Sequence, residues 1–137
     1  MALPRGGVPV AAAVARALDA PLEVLIVRKI GAPGHPEYGV GAVVEGAEPT
    51  VALNAAAIAM LGAAPEAVEA ETARQVHEIA RRREAYRGDR PAPDPRGRTA
   101  IVVDDGAATG GTMVVALRAL REAGAARLVA ALPVAAP

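Results

Sequence analysis

The chain has 137 residues, with 15 Lys and Arg against 15 Asp and Glu, no Cys, Phe or Trp, and only Tyr38 and Tyr86 as aromatics. That length suits one domain, the balanced charge gives no bulk attraction to nucleic acid or to an anionic membrane, and the lack of cysteine excludes disulfides and thiolate metal sites. The core has to be filled by Ala, Val, Leu and Ile. No signal peptide opens the chain, and the apolar stretch 51–64, broken by Asn54, is too short to span a bilayer. A soluble, cytoplasmic protein is expected.

Taken in order, "VPVAAAVARALDAP" reads as a helix with Pro9 in its first turn and Asp19-Ala20-Pro21 at its end. "LEVLIVRKI" is a β-rich apolar run that ends in Arg28-Lys29 and reads as one strand buried on both faces. "GAPGHPEYG" carries so much Gly and Pro that an irregular loop is expected. "VGAVVE" and "TVALN" read as short strands forming a hairpin around "GAEP", and 55–61 as a short helix. Pro65–Arg87 is a long polar helix whose apolar stripe is Val68, Val76, Ile79 and Tyr86. "GDRPAPDPRG" is a linker, "RTAIVVDD" a second buried strand, 112–123 a helix closed by Gly124, and "RLVAALPV" a last strand.

The order β-α-β, excursion, β-α-β predicts a parallel sheet with helices on both faces, in one domain over 1–137 with a helical excursion at about 55–88. Ligands on such sheets bind beyond the carboxyl ends of the strands. Three segments, "PRGG", "RKIGAPG" and "DDGAATGGT", are expected at ends of that kind. In "DDGAATGGT" the small residues 108–112 lead into a helix N-terminus, where backbone N–H groups and the helix dipole favour an anion. Thr109 and Thr112 add hydroxyl donors. The Gly-Lys-Ser/Thr element of a Walker loop is missing. Asp104 and Asp105 would repel a phosphate, so they suit a donor such as a pair of ribose hydroxyls. The bland alternatives are a capped strand-to-helix turn for this segment, a glycine turn for "PRGG" and a solvated charge pair for Arg28-Lys29.

"VVDDGAATGGT" closely resembles the phosphoribosyl pyrophosphate (PRPP) motif of type I phosphoribosyltransferases, in its adenine-type version above all. The resemblance implies that fold, a Rossmann-like α/β core with a parallel sheet. It implies that Asp104 and Asp105 hold the ribose hydroxyls, that Ala108, Thr109, Gly110, Gly111 and Thr112 wrap the 5′-phosphate, and that Arg5, Gly6 and Gly7 bind pyrophosphate. Arg28 and Lys29 resemble the family's second basic pyrophosphate contact. Glu37, in a Glu-Tyr-Gly like that of the adenine-type mobile loop, resembles the residue that assists proton transfer at the base, and 31–39 is then expected to be mobile without ligand. In the family a non-proline cis bond often precedes the loop's basic residue, so a cis Pro4–Arg5 bond is expected.

The implied reaction is transfer of ribose 5-phosphate from PRPP to a nitrogenous base, with Mg²⁺ carried by the substrate near Asp104 and Asp105 rather than by a protein cage. The base is not written in the chain. Ala108 stands where members acting on 6-oxopurines carry Asp, and the whole pattern looks most like a bacterial branch whose base is unassigned. Expected partners are PRPP and that base, with no nucleic acid and no membrane; a homodimer is allowed. Against the family the core looks cut at both ends, with only Met1, Ala2 and Leu3 before the pyrophosphate loop and no base-holding segment after Pro137. The alternative to an enzyme is therefore a non-catalytic PRPP-binding module or an inactive fragment.

Overall fold

The run "LEVLIVRKI" does not form one strand. In the computed structural model, which describes residues 1–46, 48–91, 93–107 and 110–135, it is shared between two sheets. Val24 bridges in parallel to Ala2, whereas Val27 opens an antiparallel ladder as the first residue of β1 (Val27–Ala32). The expectation of a single doubly buried strand is corrected accordingly: an apolar run is compatible with either sheet, and only the pairing partners show where it divides. The chain falls into two units, Met1–Ile26 with Ala92–Pro137, and Val27–Pro91. The second contains the excursion 55–88 together with three strands.

The first unit is built on parallel pairing. Ala2 lies between Val24 and Val103 and is parallel to both, with Ala2 N donating to Glu23 O at 2.7 Å and Leu3 N to Val103 O at 2.9 Å. Strand β4 (Thr99–Val103) then pairs in parallel with β5 (Arg127–Ala131), Thr99 opposite Arg127 and Val103 opposite Ala131. Helix α1 (Gly7–Ala17) connects the Ala2 and Val24 segments and packs on β4; α4 (Gly111–Glu122) connects β4 to β5 and packs on both. Pro9 sits in the first turn of α1, where its missing N–H has no intrahelical acceptor to lose. The buried face of α4 is Met113, Ala116, Ala119 and Leu120, a helical spacing. Gly124 ends it at φ +90°. With no large aromatic available, close approach replaces bulk: Ala2, Val102 and Ala116 are fully buried. The Pro4–Arg5 peptide is cis, as the resemblance led us to expect.

The second unit is an antiparallel sheet in the order β1, β2 (His35–Val44), β3 (Thr50–Leu53), with the hairpin expected around "GAEP" joining the last two. "GAPGHPEYG" is not an irregular loop. Residues on both sides of Pro33-Gly34 belong to β1 and β2, and Ala32 pairs with His35 across the turn. Pro then Gly at the two central positions is the type II arrangement, and Gly34 has φ +77°. Register shifts at Gly31 absorb the irregular sequence. A Cβ there would stand 2.9 Å from the Pro36 carbonyl oxygen, so the glycine allows close strand approach and does not break the strand. Asn54 caps α2 (Ala55–Met60) by accepting from Ala57 N at 3.1 Å.

Helix α3 (Pro65–Arg87) packs against β1 and β2. Its buried positions are Val68, Gln75, Ile79 and Arg87. Val76 is only half-buried and Tyr86 is 40% exposed, so the expected stripe is corrected at two places by polar residues that hydrophobicity does not single out. Among the described residues no helix is long and apolar enough to cross a membrane.

Candidate functional site

Parallel pairing of Ala2 with Val103 brings the segments after them to the same edge of the first unit's sheet, beyond the carboxyl ends of the strands. One segment is Arg5, Gly6 and Gly7; the other is Asp104 and Asp105. They touch closely enough to need glycine. A Cβ on Gly6 would lie 2.0 Å from an Asp105 carboxylate oxygen, and a Cβ on Gly7 would lie 2.6 Å from the Val103 carbonyl oxygen and 2.9 Å from Asp104 Cα. Arg5 is exposed.

Asp104 is half-buried and Asp105 exposed. The Asp105 N–H donates to Asp104 Oδ1 at 2.9 Å. Burial pushes the Asp104 carboxyl above its usual range; the backbone hydrogen bond opposes this, and the neighbouring Asp105 carboxylate reinforces it. A carboxyl whose folded pKa is raised contributes stability below its unfolded pKa and loses it as pH rises through the folded value. At neutral pH ionised Asp104 is therefore a cost to the fold. Asp104→Asn keeps the oxygen that accepts from Asp105 and removes the charge. We expect its melting temperature to equal or exceed that of the parent at pH 7, with the advantage vanishing below the ordinary aspartate range. A thermal melt series from pH 3 to 8 checks this, and a lower Tm for the variant at pH 7 would contradict it.

Gly110, in the left-handed conformation at φ +70°, precedes α4, and no side chain caps that helix. Gly111 and Thr112 form its exposed first turn, where backbone N–H groups have no intrahelical acceptors. Ala108 and Thr109 lie outside the described residues.

The remaining candidates belong to the second unit. Arg28 and Lys29 are the second and third residues of β1 and not its end, so the expected strand-end placement is corrected; the strand continues through Gly31 into the hairpin. Adjacent strand residues point to opposite faces. Arg28 is half-buried and donates through Nε to Gln75 Oε1 at 2.9 Å on α3. Lys29 is exposed; its stem passes Gly39, and Nζ donates to the Glu37 carbonyl oxygen at 3.1 Å. The Glu37 side chain is exposed on β2, near His35 and Tyr38, whose rings meet edge-on with centroids 6.2 Å apart. Gln75 and its partner Glu71, joined at 2.7 Å, escaped the sequence reading. In a helix rich in Glu, Gln and Arg nothing marks which polar side chain turns inward. Among the described residues no three carboxylate or imidazole side chains stand together as a metal cage.

Comparison with known proteins places this geometry in a family context. A family model described as phosphoribosyl transferase domain matches residues 1–137. Two Mycobacterium tuberculosis proteins, from strains CDC 1551 / Oshkosh and ATCC 25618 / H37Rv, are each named as a putative phosphoribosyl transferase. Each is 42% identical over 134 residues, which is 98% of this chain and 30% of the relative's own length. The crystal structure of TT1426 from Thermus thermophilus superposes with a TM-score of 0.80 at 46% identity, covering 99% of this chain and 64% of that one.

Proposed function

The chain belongs to the phosphoribosyl transferase domain family, and from that premise we propose that it transfers ribose 5-phosphate from PRPP to a nitrogenous base, releasing pyrophosphate. The observation that carries the reading is the seating of Gly6 and Gly7 directly against Asp105 and Asp104. A candidate anion-binding loop and a candidate diol-binding acidic pair therefore lie side by side at one sheet edge, and a ribose with a pyrophosphate on C1 has both chemistries on adjacent atoms.

In the proposed reaction the bond from C1 to the pyrophosphate oxygen breaks and a bond from C1 to the base nitrogen forms. The pair of electrons leaves with pyrophosphate, and the proton on the nitrogen is lost. Negative charge grows on the leaving group. Arg5 and the amides of Gly6 and Gly7 would meet it, and the family resemblance gives Arg28 and Lys29 the role of a further basic contact to pyrophosphate. Asp104 and Asp105 would accept from the ribose hydroxyls and so hold the sugar in place. The exposed amides of Gly111 and Thr112, with the Thr112 hydroxyl, would hold the 5′-phosphate. By the same resemblance Glu37 would take the base proton. Mg²⁺ would be carried in by the substrate close to Asp104 and Asp105, where it would supply positive charge against the pyrophosphate.

Asp105→Asn tests the assignment. It should weaken PRPP binding by about 1.5–3 kcal/mol, the range for a hydrogen bond to a charged group, and leave inorganic phosphate binding nearly unchanged. Calorimetric titration of both ligands with Mg²⁺ present reads this directly. Equal loss for the two would remove Asp105 from the ribose. A parallel assay for pyrophosphate release over a panel of purines and pyrimidines distinguishes a transferase from a module that binds PRPP without turning it over.

A further inference from the structure

We infer that Gln75 is the positioning residue for Arg28, holding its guanidinium so that the two terminal nitrogens face an oxyanion. The inference rests on the phosphoribosyl transfer reading, in which that oxyanion is pyrophosphate. Gln75 is only 6% exposed and shares the buried face of α3 with Val68 and Ile79. An amide there is costly unless its polar atoms are satisfied, and both are. Gln75 Oε1 accepts from Arg28 Nε at 2.9 Å, and Gln75 Nε2 donates to Glu71 Oε1 at 2.7 Å. The direction of the amide is forced. A carboxylate only accepts, so the NH₂ must face Glu71 and the carbonyl must face Arg28. Glu71 is itself held, its other oxygen accepting from Arg74 Nε at 2.9 Å and pairing with its terminal nitrogen at 2.6 Å.

The way Arg28 is held leaves it available. Its anchor engages Nε, the nitrogen nearest the stem, and among the described residues its terminal nitrogens bond to nothing. Since no fully buried side-chain nitrogen or oxygen among the described residues lacks a partner, those terminal groups reach solvent. The anchor is also neutral. Arg28 forms no ion pair among the described residues, and the carboxylate of the relay, Glu71, is matched by Arg74. A guanidinium fixed at one edge, unpaired in charge, with its fork of donors outward is suited to bidentate binding of phosphate oxygens.

The test is calorimetric titration of inorganic pyrophosphate with Mg²⁺ into the whole chain and into Arg28→Ala, Gln75→Met, the double variant and Gln75→Glu, with a thermal melt of each. Arg28→Ala and Gln75→Met should each bind about tenfold more weakly, as expected for one lost charge-assisted contact. The double variant should bind no worse than Arg28→Ala, because residues acting through one another are not additive. A purely structural Gln75 would instead add its loss in full. Gln75→Glu, which pairs with Arg28 and cancels its charge, should also weaken binding, and it decides the matter if Gln75→Met does not fold. Parent-like affinity in a folded Gln75 variant, or full additivity in the double variant, overturns the inference while the proposed function stands. If the unaltered chain binds neither PRPP nor pyrophosphate, the proposed function fails and the inference fails with it.

Discussion

Arg87→Ala should destabilise the second unit by about 3–5 kcal/mol, the cost of breaking a buried ion pair by removing one partner. Arg87, in the last turn of α3, meets Glu45, just past the end of β2, through two hydrogen bonds of 2.9 and 3.0 Å. The two side chains are 4% and 2% exposed. Water cannot take the place of the lost guanidinium without opening the packing between helix and sheet. Glu45→Ala should cost a similar amount. The pair Arg87→Met with Glu45→Leu should cost less than either single change, since both charges of the pair leave the buried site together. Urea unfolding followed by circular dichroism measures all three. A double variant as unstable as the singles would show that breaking the ion pair does not set the loss.

The second large effect is expected from Gly7→Ala. The new methyl would meet backbone on both sides, 2.6 Å from the Val103 carbonyl oxygen and 2.9 Å from Asp104 Cα. Backbone of a paired strand does not rotate aside, so either the start of α1 or the end of β4 must move. Overpacking of this kind costs about 1–3 kcal/mol, and the displaced Asp104 should lower PRPP affinity by about tenfold or more, as a lost charge-assisted bond would. Gly6→Ala differs. Its methyl would fall on the Asp105 carboxylate, a side chain that can turn away, so PRPP affinity should drop while most of the stability remains. Melting temperature and PRPP titration on the two variants separate these outcomes. Parent-like stability and affinity for Gly7→Ala would mean that the two loops are not in contact.

Local signals account for much of what could be read before the structure. Pro65 and the charge-rich stretch after it delimit α3 to the residue, because a helix start at proline and an unbroken run of helix formers are decided within a few turns. The hairpin from "VGAVVE" to "TVALN" was legible for the same reason. "GAPGHPEYG" misled because its glycines and prolines, counted without their pairing partners, signal irregular chain. In place they are a turn at Pro33-Gly34 and close strand contacts at Gly31 and Gly39.

By itself the sequence determined the family, the bounds of the long helix α3 and the glycine-rich segment beside Arg5, all of which are written in short contiguous strings. Tertiary structure alone decided which of those strings meet. Gly6 reaches Asp105 only because Ala2 pairs in parallel with Val103. Gln75 reaches Arg28, and Arg87 reaches Glu45, only because α3 lies on β1 and β2. Such contacts depend on the register of elements far apart in the chain. A glycine that makes room for a distant carboxylate, or a glutamine turned inward, looks in the sequence like any other glycine in a turn or glutamine on a polar helix.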